Sequence, residues 1–211
     1  MAVCALAATL WLVAALSPAS PAAASAESIA RHVEERHRAV GGLTARFVQV
    51  YRSGVLGREV EERGKLSLKP PGRMLWEYQQ PEKKTFVSDG KTFYFYVPAD
   101  HQVLVRGQAG ERGVAVQLLS GQGDLTRDFE AGLETASAGR YRLRLTPRKP
   151  DPDVDRVYLE TDDAFRIHSI EVLDTLGNRS EFRFLDIKDK VRLPDSLFDF
   201  EVPAGVEVVS G

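Results

Sequence analysis

The chain has 211 residues, with 28 Lys and Arg against 30 Asp and Glu, and its formal charge of -2 leaves no basic stripe for a nucleic acid. One cysteine, Cys4, excludes a disulfide framework, a cysteine-based zinc site and a thiol redox pair beyond the leader. The composition after Glu27 is that of one globular domain of moderate size, expected over 27–211.

No charge precedes Glu27, and Val3 to Leu16 is apolar except for Thr9, too short a run for a comfortable bilayer span. A small-residue stretch ending Ala24-Ser25-Ala26 follows, so residues 1–26 read as a signal peptide with an A-x-A cleavage site. Cys4 sits too early in the leader to be placed for lipidation. The expected product is an exported protein with no later stretch apolar enough to cross a membrane.

One helix comes first: Ile29, Val33, His37 and Val40 follow helical spacing, and Gly41-Gly42 is a stop signal. The period then changes to two, with strands expected at Leu43 to Arg52, Val60 to Lys69 and Arg73 to Gln80. Thr85 to Val97 folds back at Asp89-Gly90, and Gln102 to Arg106 follows. Between Gly107 and Gly132 a glycine-punctuated helical insertion is expected, with Val114, Leu118 and Leu119 on one short helix and Leu125 and Phe129 on a second. Strands resume at Tyr141 to Thr146, Val154 to Thr161, Phe165 to Thr175, Arg179 to Ile187 and Val206 to Val209. About eleven strands with short turns predict an antiparallel meander curled into a barrel or half-barrel.

Chemical motifs are sparse. His32-Val33-Glu34-Glu35-Arg36-His37 places its histidines five apart, so they diverge around a helix and read as part of a solvated face. Ser88-Asp89-Gly90-Lys91 is turn chemistry at a hairpin tip. Asp151 to Asp155 lacks the glycine that a calcium loop needs, because Arg156 stands there. No nucleophile, base and orienting acid share a recognisable spacing, and neither metal nor cofactor is expected. The conspicuous feature is apolar bulk: Phe93 to Val97 is large on both faces, and Met74, Trp76 and Tyr78 share one face of their strand. Such a half-barrel either fills with its own side chains or leaves a cavity, and a glycine-hinged helical lid suits a cavity.

Four segments carry a resemblance. They are Leu43-x-x-x-Phe47-x-Gln49, Gly64 to Tyr78 through Lys69-Pro70-Pro71-Gly72, Val87-Ser88-Asp89-Gly90-Lys91, and Phe198-x-Phe200-x-x-Pro203-x-Gly205-Val206. Together they resemble the LolA family of periplasmic lipoprotein carriers, over essentially the whole chain after the leader. The resemblance implies an unclosed antiparallel barrel, mainly β with a few α-helices, and a helical lid over an apolar cavity. It implies a soluble periplasmic carrier, expected to be a monomer, that takes acylated lipoproteins from an inner-membrane ABC transporter to an outer-membrane lipoprotein receptor. The expected lining is Leu43, Phe47 and Tyr51 on the first strand, Leu66 and Leu68 on the next, and Met74, Trp76 and Tyr78. Phe86, Phe93 and Phe95 complete it, and the expected lid residues are Val114, Leu118, Leu119, Leu125 and Phe129. Where the family usually has an arginine that latches the lid, this chain has Pro70, so Lys69 or Arg73 is the expected substitute and a looser lid would follow. A lipid-sensing protein of the same fold and a periplasmic lipid hydrolase are the rival readings.

Overall fold

The computed structural model describes residues 25–107, 113–137 and 139–210. The leader reading falls outside the described residues except for Ser25 and Ala26.

Helix α1 spans Ala26–Ala39. The Ser25 hydroxyl accepts a hydrogen bond from the Ser28 N–H at 3.2 Å, satisfying one of the free amides of the first turn. Glu27 near the start and Arg36, His37 and Arg38 near the end oppose the helix dipole. Ile29, Ala30 and Val33 bury one face.

Strands β1 (Leu43–Arg52), β2 (Glu59–Lys69), β3 (Arg73–Gln80), β4 (Lys84–Asp89), β5 (Thr92–Val97) and β6 (Gln102–Gly107) follow as a meander. Two short helices, α2 (Val114–Leu119) and α3 (Leu125–Asp128), precede a second meander. It comprises β7 (Phe129–Ser137), β8 (Arg140–Pro147), β9 (Arg156–Asp162), β10 (Ile167–Leu173) and β11 (Arg179–Asp189), and β12 (Glu207–Ser210) closes the chain.

The twelve strands form one sheet in the order β12-β6-β5-β4-β3-β2-β1-β11-β10-β9-β8-β7. Every neighbouring pair is antiparallel except β12 on β6, and the sheet does not close on itself. The expected unclosed half-barrel with a few helices is therefore the observed architecture. At the β4–β5 turn, Asp89 Oδ1 accepts from the Lys91 and Thr92 amides at 2.7 and 2.8 Å, and Ser88 Oγ accepts from Gly90. Ser88 to Lys91 is thus the turn expected from the sequence.

One residue of the expected second helix lies on a strand instead. Phe129, expected on the second short helix, is the first residue of β7 and already has extended backbone angles. The four-residue spacing from Leu125 suggested a helix, but pairing of Phe129 through Ser137 with Pro147 through Arg140 draws the chain out as an edge strand. Local periodicity lost to a nonlocal ladder.

Close packing inside the curl has a specific requirement at Gly64. A Cβ there would lie 2.1 Å from the Glu77 carbonyl and 2.7 Å from the Phe47 ring, which sits directly across from it on β1. Phe47 is 1% exposed and cannot step aside. Gly64→Ala is therefore expected to destabilise the protein by about 2 to 3 kcal/mol, read as a lower denaturant midpoint at unchanged slope.

Candidate functional site

The register shows why the concave face is apolar. Ala45 stands opposite Leu66, Leu66 opposite Trp76, Trp76 opposite Phe86, Phe86 opposite Phe95 and Phe95 opposite Leu104, so one row crosses six strands. A parallel row runs through Leu43, Leu68, Met74, Ser88, Phe93 and Arg106. Period-two alternation places both rows on one side of the sheet. Phe47 meets Trp76 and Tyr78 edge-on, at ring-centroid distances of 5.0 and 4.9 Å, and Trp76 meets Phe182 at 5.4 Å. The Trp76 indole N–H has no acceptor among the described residues.

Of the expected lining, Phe47, Leu66, Leu68, Met74, Trp76 and Phe93 are buried, and Leu43, Tyr78, Phe86 and Phe95 are half-buried. The Tyr78 hydroxyl donates to Gln49 Oε1 at 2.8 Å, and burial, with Glu62 nearby, pushes its pKa well above the usual phenol range. Tyr51 departs from the expectation. It shares the face of Phe47 but lies at the far end of β1, 41% exposed, where the sheet has run past its own core.

The short helices are held from α1. Glu34 Oε1 accepts from the backbone N–H groups of Leu125 and Thr126, the latter at 3.2 Å, so a carboxylate sits at the start of α3. Burial raises the Glu34 pKa against the opposing pull of these two amides. One turn further along α1, His37 Nε2 lies 2.6 Å from the Leu119 carbonyl at the end of α2. A carbonyl only accepts, so this nitrogen carries the hydrogen. The next carbonyl, Ser120, accepts from the Gly72 N–H at 2.8 Å. Gly72 has φ +79°, and a Cβ on it would meet Gln122 at 2.7 Å and Gly90 at 2.9 Å, so this approach needs glycine.

Two sequence expectations are thereby corrected. The segment from His32 to His37 is not simply a solvated face: its Glu34 and His37 hold α3 and α2, while His32 stacks on Phe165 with centroids 4.8 Å apart. Lys69 and Arg73 do not latch the helices. The Lys69 ammonium donates to the Leu193 carbonyl at 2.8 Å and to Asp195, and Arg73 lies 3.7 Å from the same carboxylate. Both basic side chains are engaged with the C-terminal segment. The two carbonyls at the end of α2 have donors without an arginine, so Pro70 does not leave them unpaired. No signal in the local spacing marked His37, because its partner is 82 positions away.

Packing divides the concave face in two. Leu118, Leu119 and Leu125 join the buried core, Val114 packs against it, and Leu119 closes over Leu43, Leu66, Leu68 and Phe184, leaving a space of about 30 Å³. That is room for about one water. Over β4 to β6, Phe86, Phe93, Phe95, Leu104 and Arg106 line a groove of about 210 Å³.

An unclosed half-barrel whose apolar concave face lies beneath short, separately tethered helices defines the class of protein. The family model described as outer membrane lipoprotein carrier protein LolA matches residues 38–201, and the chain belongs to that family. It is similar to the outer-membrane lipoprotein carrier protein of Azotobacter vinelandii, at 33% identity over 90% of this chain and 91% of that one. It is 30% identical to the protein of the same name from Legionella pneumophila strain Corby, over 87% of this chain and 90% of that one. Among solved structures, MucB superposes with a TM-score of 0.53 at 18% identity, covering 90% of this chain and 67% of that one, a likeness of fold alone.

The His37 contact has a pH consequence. Enclosure withholds water from the imidazolium and Arg36 adds repulsion, which together outweigh the Leu119 carbonyl and Asp189; the pKa falls below its ordinary 6.5. A closed form with a depressed histidine pKa binds fewer protons than an open form with a solvated ring. Its stability is present above about pH 6.5 and is lost as pH falls toward the depressed value. Lipid uptake should therefore accelerate between pH 7.5 and 5.5 relative to His37→Gln, which keeps a donor but does not titrate. The raised Glu34 carboxyl acts in the opposite sense in both proteins and cancels in the ratio.

Proposed function

We propose that this protein is a periplasmic carrier that takes up the acyl chains of lipoproteins on its concave face and moves them from the inner to the outer membrane. The observation that carries the reading is the uninterrupted apolar row from Leu66 to Leu104. It runs from beneath the lid helices into the open groove of β4 to β6. The names of the relatives and the family description support lipoproteins as the cargo.

The physical logic is one of matched environments. Each buried CH₂ is worth about 0.8 kcal/mol relative to water, so an acyl chain cannot travel exposed. Between a bilayer and an apolar cavity the same transfer is nearly isoenergetic, and protein contacts at each end set direction. In the closed form the space under Leu119 is too small for a chain, so α2 must yield before cargo is fully seated. The partners in this reading are an inner-membrane ABC lipoprotein-releasing transporter and an outer-membrane lipoprotein receptor, with the carrier acting as a monomer and without a cofactor. Export would follow removal of the leader over 1–26. A cut after Ala26 would also remove the Ser25 cap of α1, at a cost of about 1 kcal/mol.

Trp76 tests the site directly. It is only 3% exposed in the empty protein, so the informative signal is not a shift of its emission toward the blue but contact quenching. Synthetic lipopeptides with brominated acyl chains should quench Trp76, and unbrominated ones should not. Equal fluorescence with both at saturation would place the chains elsewhere.

A further inference from the structure

At the opposite end of β1 from the lid helices, two turns present aliphatic side chains to solvent. Val55 and Leu56, between β1 and β2, are 79% and 69% exposed, and Leu176, between β10 and β11, is 73% exposed. The turns are built against each other: the Gly54 N–H donates to Asn178 Oδ1 at 3.0 Å, and a Cβ on Gly54 would lie 2.5 Å from the Gly177 carbonyl. Each is also fixed internally. Ser53 and Arg58 are joined through their backbones at 2.9 Å, the Leu56 amide donates to Ser53 Oγ, and Asp174 Oδ1 accepts from the Leu176 and Asn178 amides. These apolar side chains therefore stand on a braced tip rather than on a loose loop, and Tyr51 and Val60, paired across β1 and β2, extend the surface toward the sheet.

The charges around the tip favour one occupant. The segment Arg52 to Arg58 carries two arginines and no acid, and the one acid of the other turn, Asp174, has its carboxylate engaged by the Leu176 and Asn178 amides and the Asn178 side chain. Arg52 is paired with Glu59, and Arg58 has no ionic partner among the described residues. Apolar side chains at a convex tip with guanidinium groups beside them match the acyl boundary and phosphates of an anionic bilayer. A protein partner would call for a broader, flatter surface. The ten residues of β1 put this tip about 30 Å from Leu43, so contact there leaves the lid end free.

We propose that the paired turns at 53–58 and 174–178 form a membrane-contacting prong that touches the surface of an anionic bilayer. This goes beyond the carrier reading and is read on the empty protein. The purified protein should sediment with vesicles of phosphatidylcholine and phosphatidylglycerol, and only weakly with phosphatidylcholine alone. The double variant Val55→Ser, Leu56→Ser should lower the partition about tenfold or more, and Arg58→Ser about fivefold on the anionic vesicles only. All these positions are exposed, so thermal stability should be unchanged. Quenching of Trp76 by brominated lipopeptides should also be unchanged, which separates a failure of this proposal from a failure of the carrier reading. The proposal is wrong if the natural protein does not associate with anionic vesicles, or if the double variant associates as well as the natural one. It is equally wrong if these substitutions impair only hand-over to a protein receptor, since the tip would then be a protein contact.

Discussion

The lid helices cannot hold themselves. A helix of six residues and one of four leave most of their terminal N–H and C=O groups without intrahelical partners, and lengths of this order are not stable alone. Glu34 and His37, one turn apart on α1, supply what is missing: an acceptor where α3 begins and a donor where α2 ends. With the Gly72 amide on the Ser120 carbonyl, these two side chains tether the helices that cover the concave face. The arrangement works because α1 is itself fixed, through Ile29, Ala30 and Val33 in the core and through Arg36, which pairs with Asp189 at the end of β11.

The balance of energies makes such a cover reversible. Hydrogen bonds of this kind contribute about 1 kcal/mol each in net terms, and withdrawing leucines from the core costs about 2 to 3 kcal/mol apiece. Relative to water, the gain from burying an acyl chain is larger than any single term of that sum. For cargo arriving from a bilayer, the protein contacts at each end supply what the nearly isoenergetic transfer does not. A cover held by a few end contacts and two or three leucines shields the apolar face when empty and still gives way to cargo. A continuous long helix packed along its whole length would not.

Much of the fold was legible because strands announce themselves through alternation and turns through Gly, Pro, Asn and Asp. The meander from Leu43 to Arg106 and the Asp89-Gly90 turn were readable for that reason, and so was the shared face of Met74, Trp76 and Tyr78. What was not legible depended on distant partners. Phe129 fits a helix by spacing from Leu125 and becomes a strand because β8 pairs with it. Tyr51 continues the inward alternation of β1, yet alternation does not say where the core ends along a strand. His37 and Glu34 resemble ordinary surface residues of an amphipathic helix until the chain returns, about ninety positions later, with a carbonyl and two amides.

Lys69 and Arg73 show how one misread pair explains another feature. Strand β5 is aromatic on both faces, which suggested apolar bulk without saying what would cover the outer side. The outward rings of Tyr94 and Tyr96 lie 5.2 and 5.9 Å from Phe200, and Phe198 is fully buried, so the C-terminal segment lies over the convex face. Lys69 and Arg73 meet this segment at Asp195 and Leu193, tying it to the β2–β3 turn. That turn also carries Gly72, whose N–H holds the end of α2. The β2–β3 turn is thus fastened on one side to the segment covering the outer face and on the other to the helix covering the inner face. The basic pair meets the C-terminal segment at the same turn whose glycine amide is bonded to α2, and β4 to β6 are left backed on their convex side and open on their concave one.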